Sequence, residues 1–312
     1  MRQVYLMSYP GPDWHIRGAV NFRSRSQEST HPRMALREWM RLADAITEAG
    51  GEVVVMPPPD EQPAHTGLIY AANHGALFPS EGAPTFLISK MHASHRQGEQ
   101  APIRDFFTDG LGLETLTADR VWEGQADITR LSDDRAILTY GVRSEEEACA
   151  MVRAQLPEAI DTLELELRDP FFHGDTCLSP LHGRGGRGLL LVHPGAFTDD
   201  APSELARFAP DVELIEISQI DALAYACNAL QVRGTLIAPA GLSMGLLNTL
   251  SDRGLHIQEL ELAELFGKGG GGPRCLVNVL RGLDPDTIPH DLHYPHQREA
   301  IAARLEGYPE LD

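Results

Sequence analysis

Apolar residues along this chain come in short runs, each followed by a stretch in which they recur every three or four positions. The first run, Val4 to Met7, is a strand candidate. After a loop rich in Arg, Ser, Gly and Asn through Thr30, Pro32 opens a helix, a position where proline's missing N–H costs nothing. Leu36, Trp39, Leu42, Ala43, Ile46 and Ala49 then recur at helical spacing, and Gly50-Gly51 closes the segment. Glu52 to Met56 reads as a short buried strand, stopped by three prolines. The same rhythm predicts strands at Leu68 to Ala72, Thr85 to Ile88, Ala136 to Tyr140, Thr162 to Leu167 and Gly188 to Val192. It continues with Val212 to Ile217, Gly234 to Ile237, Leu255 to Leu260 and Arg274 to Val279. Helices are expected near Pro202 to Phe208, Ile220 to Ala229 and Gly241 to Ser251. Another runs to about Gln155 from a capping box in which the Ser144 hydroxyl accepts from the Glu147 amide.

Short strands alternating with short helices indicate an α/β chain. No low-complexity linker divides it. The glycine run Gly269 to Gly272 directly precedes a strand and is read as a tight turn. Residues 1–283 form one unit; residues 284–312, with several prolines and histidines, read as an extension packed over the same domain.

Composition narrows the partners. Of 312 residues, 42% are hydrophobic and 23% charged, ordinary for a globular chain. The formal net charge of −19 lacks the basic surplus that replaces counterions on nucleic acid. Acidity could steer cationic ligands weakly, but a solvated acidic surface is the more ordinary explanation. Cys149, Cys177, Cys227 and Cys275 form no CxxC pair. The N-terminal stretch has no secretory pattern, and no run of apolar residues is long enough to span a bilayer. A reducing cytoplasm with free thiols is expected.

Four segments carry candidate chemistry. In GKGGGGPRCLVNVL, glycines allow close backbone approach and Cys275 follows at a strand mouth, either as a poised nucleophile or as a buried strand cysteine. In DPFFHGDTCLSPL, His173 and Asp175 point to one face of an extended run. Histidine suits proton transfer for a thiolate; a core histidine is the alternative, and no zinc-type ligand spacing accompanies it. In VWEGQADITRL, Glu123 and Asp127 flank a turn and could clamp a planar cation, or form a solvated pair. Asn73, in GLIYAANHGALF, faces a site or simply makes a turn. Arg96 and Arg143 could each hold a carboxylate in a guanidinium fork, or make a surface ion pair.

In this order and at these gaps, from about Tyr5 to Leu283, the segments resemble the guanidino-group modifying enzyme superfamily. Its members include arginine deiminases, dimethylarginine dimethylaminohydrolases, amidinotransferases and arginine dihydrolases. The resemblance implies a single-domain α/β propeller (the pentein fold) over residues 1–283, with five ββαβ-like units around a central channel. It implies Cys275 as nucleophile, His173 as catalytic histidine and Glu123 as catalytic acid. It further implies Asp127 and Asp175 on the guanidinium, Arg96 and Arg143 on the substrate carboxylate, and Asn21 at the amino-acid end. No metal or organic cofactor is implied. The expected partner is a small guanidino substrate, in a chain compatible with a homo-oligomer.

Two departures stand out. EGQAD replaces a glycine-richer run, and Pro273 removes a backbone donor near Cys275. Asn73 stands where most of the superfamily has aspartate, and resembles the arginine dihydrolases. An amide can donate to the carbonyl of a neutral urea, which a carboxylate repels. The resemblance therefore points to arginine hydrolysis through citrulline to ornithine. Alternatives are a dimethylargininase or deiminase that stops at citrulline, an amidinotransferase, or a non-catalytic binder on the same fold.

Overall fold

The computed structural model describes residues 2–18, 21–26, 29–59, 65–80, 82–198 and 200–310. Its strands fall into five three-stranded sheets of one design, each with a central strand antiparallel to one neighbour and parallel to the other. Val4–Ser8 pairs antiparallel with Asn278–Leu280 and parallel with Glu52–Met56. The other central strands are Thr85–Ile88, Arg135–Tyr140, Gly188–Val192 and Thr235–Pro239. A parallel pair requires a crossover, and a helix lies in each: Pro32–Glu48, Gln100–Asp105, Glu147–Arg153, Ala201–Phe208 and Met244–Asp252.

The apolar strand runs follow from burial on both faces. In Val4–Ser8 and Glu52–Met56, side chains alternate between two cores. Tyr5, Met7, Val53 and Val55 join Leu36, Trp39, Ala43 and Ile46 of the first helix. Val4, Leu6, Val54 and Met56 join Phe86, Ile103 and Phe107. The first helix ends where Gly50 takes φ +87° and the Gly51 amide returns to the Ile46 carbonyl. Residues beyond 284 cover the same core: Tyr294 is buried edge-on against Trp39, at 5.7 Å between centroids, and its hydroxyl donates to Asp44. Among the described residues, no helix is long and apolar enough to cross a membrane.

Several expected elements are corrected. Leu68 to Ala72 is not a strand: residues 66–69 turn and Ala71–His74 is a 3-10 helix. Its amides bond three residues back (Leu68 to His65, Tyr70 to Gly67, Asn73 to Tyr70), so its burial reflects enclosure rather than sheet pairing. The strand is Gly75–Phe78. The last strand starts at Asn278, because the Arg274 and Cys275 amides are taken by Asn228 and residues 273–276 turn. The expected helix Ile220 to Ala229 breaks at Tyr225, whose φ is +61°. Ser144 does not cap its helix, since its hydroxyl is drawn inward to Asp127; Ser218 and Ser243 do cap theirs.

Candidate active site

Before the antiparallel strand of each sheet the chain makes a tight turn, and these turns bring the candidate residues together. They are Ala71–His74, Gly124–Asp127, Gly174–Thr176, Ala226–Asn228 and residues 273–276. Hydrogen bonds link them in a ring. Asn73 Nδ2 donates to the Glu123 carbonyl (3.0 Å), and the Gly174 amide donates to Asp127 (3.0 Å). Asn228 Nδ2 donates to the Asp175 carbonyl (3.1 Å), and the Cys275 amide donates to Asn228 Oδ1 (3.1 Å). The Ala72 amide donates to the Cys275 carbonyl (3.1 Å) and completes the ring.

Two glycines show why this packing tolerates no side chain. Gly270 has φ +80°, and a Cβ there would sit 2.6 Å from Asn21 Oδ1. A Cβ on Gly272 would sit 2.7 Å from Asn228 Oδ1. The close approach implied by the glycine run is thus to the protein's own asparagines.

A narrow cavity of about 50 Å³ opens at this ring. Cys275, His173, Asn73, Arg96, Arg143 and Asn21 line it, together with Trp14, Tyr70 and Phe172. Cys275 Sγ lies 3.0 Å from Asn228 Nδ2 and 3.7 Å from Asp175 Oδ2. Burial and the Asp175 carboxylate push its thiol well up, against the opposing pull of Asn228 and Arg274. Burial likewise pushes Asp175 up to about 6, although His173 and Arg274 oppose it.

Asp175 lies behind the sulfur, on the wall of a neighbouring cavity rather than of this one, and Glu123 and Asp127 also stand outside this wall. Glu123 is fully buried. Its Oε2 meets His173 Nε2 at 2.8 Å and Arg143 Nη1 at 3.1 Å, while Oε1 accepts from the His92 amide. Burial alone would raise Glu123, but His173 and Arg143 outweigh it and hold the carboxyl well below its usual range. Burial would discharge His173; Asp127 and Glu123 reverse this and raise it. Asp127 lies outside the cavity wall, with both oxygens engaged: Thr139 (2.8 Å) and the Gly174 amide on Oδ1, Ser144 (2.5 Å) on Oδ2. Burial raises it despite these donors.

The arginines and asparagines are also held. Arg96 is paired with Glu99 (2.9 Å) and donates to Asn73 Oδ1 (3.1 Å) and the Gly67 carbonyl. Arg143 additionally faces the Phe172 ring at 5.2 Å. Asn21 braces the glycine loop by donating to the Gly269 carbonyl (3.1 Å). Asn228, absent from the sequence reading, is as central as any of them. Its signal is weak: it sits 53 residues after Asp175 and 47 before Cys275, in step with the 50-residue intervals from Asn73 to Glu123 and on to His173.

No family model matches the chain. It is 29% identical over 293 residues to the bifunctional arginine dihydrolase/ornithine cyclodeaminase ArgZ of Synechocystis sp., covering 92% of this chain and 38% of that protein. It is 30% identical to the bifunctional arginine dihydrolase/ornithine cyclodeaminase AgrE of Nostoc sp., covering 88% and 37%. The chain therefore spans under two fifths of the length of these curated relatives. The solved N-terminal domain of ArgZ, an arginine dihydrolase bound to product, aligns with a TM-score of 0.77 at 25% identity, over 90% of this chain and 98% of that one. A dimethylarginine dimethylaminohydrolase aligns with a TM-score of 0.63 at 17% identity over 90% of this chain and 100% of that one, a likeness of fold.

Proposed function

From the chain's membership of the guanidino-group modifying enzyme superfamily, we propose that it hydrolyses the guanidinium group of arginine to ornithine by two rounds of one cysteine chemistry. The observation that carries this reading is a single cavity walled by Cys275 and His173, with His173 anchored on Glu123 and an amide, Asn73, beside them. The ring of hydrogen-bonded turns also supports reading the five sheets as a closed five-unit propeller.

Cys275 Sγ attacks the guanidinium carbon, and an S–C bond forms. The C–N bond to the departing nitrogen then breaks, and His173 supplies the proton that releases it as ammonia. With Nε2 held by Glu123, Nδ1 is the ring nitrogen available for that transfer. Deprotonated by His173, a water attacks the thiouronium carbon, the C–S bond breaks, and the thiol and citrulline result. In the second round the urea carbon of citrulline is attacked, ammonia leaves, and hydrolysis of the thiocarbamate gives an N-carboxylated ornithine that loses carbon dioxide.

The electrostatics of the site suit a cationic substrate. Thiol and carboxyl are both pushed toward their neutral forms in the dry wall. A guanidinium ion arriving beside Cys275 favours the thiolate, and its field also favours the carboxylate of Asp175 3.7 Å behind the sulfur, so the substrate's own charge activates the nucleophile. Glu123 and Asp127 act from behind, by keeping His173 charged and oriented. Arg96 and Arg143 line the cavity, where a guanidinium can turn N–H donors to the amino-acid carboxylate. The cavity is narrow, so a molecule of arginine's length requires its Trp14–Arg17 wall to shift.

Mass spectrometry of products from arginine, methylated arginines and citrulline tests the reading. Ornithine and two ammonia per arginine are expected, with Cys275→Ser inactive and Cys149→Ser active. Stoichiometric citrulline that is not consumed further would restrict the activity to a single hydrolysis. An active Cys275→Ser enzyme, or no turnover of any of these compounds, would overturn the mechanism.

A further inference from the structure

A second and larger cavity, of about 800 Å³, lies against the same turn from another side and shares no lining residue with the first. Four arginines from different elements line it: Arg130, Arg233, Arg274 and Arg281. We propose that this cavity is a binding site for a small multivalent oxyanion, held by the guanidinium forks of these four arginines. The proposal is independent of the guanidino chemistry, which concerns a cation in the other cavity.

The grouping of charge is the first reason. Among the described residues, none of the four has a carboxylate oxygen within salt-bridge distance, although the chain carries 45 acidic residues against 26 basic ones. Arg274 is bonded only to neutral acceptors, Gln125 Oε1 (3.2 Å) and the Val277 carbonyl (3.4 Å). Among the described residues, the acids in the lining are Asp133 and Asp175. Asp175 faces Cys275 and acts on Arg274 without a salt bridge, and Asp133 acts on Arg130 and Arg281 only at longer range. The arginines also converge: Arg274, Arg281 and Arg233 all bear on the one Tyr5 hydroxyl. Burial makes both Arg130 and Arg274 easier to discharge than an ordinary arginine and the field of Arg281 adds to it, although Asp133 opposes this at Arg130 and Asp175 at Arg274. Four cations gathered against two acids, none of them in a salt bridge, destabilise the fold, and an anion from solution relieves them.

The second reason is fit. Guanidinium forks match the oxygens of carboxylates and phosphoryl groups, and several at once favour more than one negative charge. The volume lies within the range of small-molecule sites. Elsewhere the acidic surface repels anions, so saturable binding of one must be local.

Calorimetric titration of the full chain with pyrophosphate and, separately, with citrate tests this. One ion per chain is expected from at least one probe, with a rise in the unfolding temperature; comparing the two identifies phosphoryl or carboxylate as the preferred group. Arg130→Gln/Arg281→Gln should weaken binding at least tenfold, and unfold no earlier than wild type when free of anion, because repulsion is relieved. Arg187→Gln, which removes a surface arginine paired with Glu213, should bind as wild type does. If the double variant does not fold, Arg233→Gln, at an exposed position, takes its place. Absence of saturable binding by both probes, or equal binding by the wild type and the Gln variants, would overturn the proposal.

Discussion

His173 is surrounded by two carboxylates that do different work. Glu123 touches the ring at 2.8 Å; Asp127 acts on it without a hydrogen bond, its own oxygens being committed to Thr139, Ser144 and Gly174. Together they raise the pKa of a ring that burial would lower. If protonated His173 is the acid, activity falls as pH rises through its raised pKa. Glu123→Gln removes one of the two raising charges, so the basic limb of kcat/KM should move to lower pH, and only partly, since Asp127 remains. A pH–rate profile with an unmoved limb would remove His173 from the acid role. Asn73 is engaged at both ends, accepting from Arg96 and donating one of its two Nδ2 hydrogens to Glu123. Asn73→Asp sets a carboxylate oxygen against the Glu123 carbonyl and against a urea oxygen, while still attracting guanidinium. Arginine should then be converted to citrulline and no further; product analysis decides it. The donor lost to the urea is worth about 1 kcal/mol or more in a dry site.

The element that recurs at this centre is a turn of three or four residues, not a strand or helix. Such turns leave no periodic trace, which is why Leu68 to Ala72 looks like a strand from its apolar run alone. Each turn holds its neighbour through a side chain, and Asn228 holds most: the Cys275 amide, the Cys275 sulfur and the Asp175 carbonyl. Asn228→Ala leaves a buried amide and a buried carbonyl without these partners, a loss of about 1–3 kcal/mol, read as a lower unfolding temperature. Asn228→Asp retains the acceptor but places a second anion beside the thiol. Alkylation of Cys275 by iodoacetamide at a fixed pH should then be slower than in wild type. Equal rates would show that Asn228 only positions the loop. The glycine run was visible as a close approach, but what approaches it came from residues at positions 21 and 228, far away in the chain.

At the scale of the molecule, the last strand of the chain completes the first sheet, Asn278–Leu280 beside Val4–Ser8, so the two ends of the fold depend on each other. The segment beyond 284 strengthens that closure. Tyr294 and Ile301 are buried against the first helix, Tyr308 donates to the Pro10 carbonyl, and Arg298 pairs with Asp44. Tyr294→Ala should therefore cost about 3–5 kcal/mol, as other large-to-small aromatic losses in cores do. Denaturant unfolding measures it, and a change under 1 kcal/mol would show the segment to be peripheral.

By itself the sequence determined the elements whose burial has a period. The helix Pro32–Glu48 and the strands Glu52–Met56, Thr85–Ile88 and Gly188–Val192 stand where the apolar pattern puts them, because a stripe or an all-apolar run has few ways to be buried. It also carried the segments around Cys275, His173, Glu123 and Asp127, where glycines, acids and a histidine stand close together in the chain. Only the tertiary structure decided which of these residues share a wall. It set Cys275, His173 and Asn73 around one cavity, moved Asp127 behind it, and brought in Asn228. It also gathered arginines from positions 130, 233, 274 and 281 around a second cavity. The reason is physical: these contacts join turns about fifty residues apart, and their geometry depends on where five sheets pack rather than on any local preference of the chain.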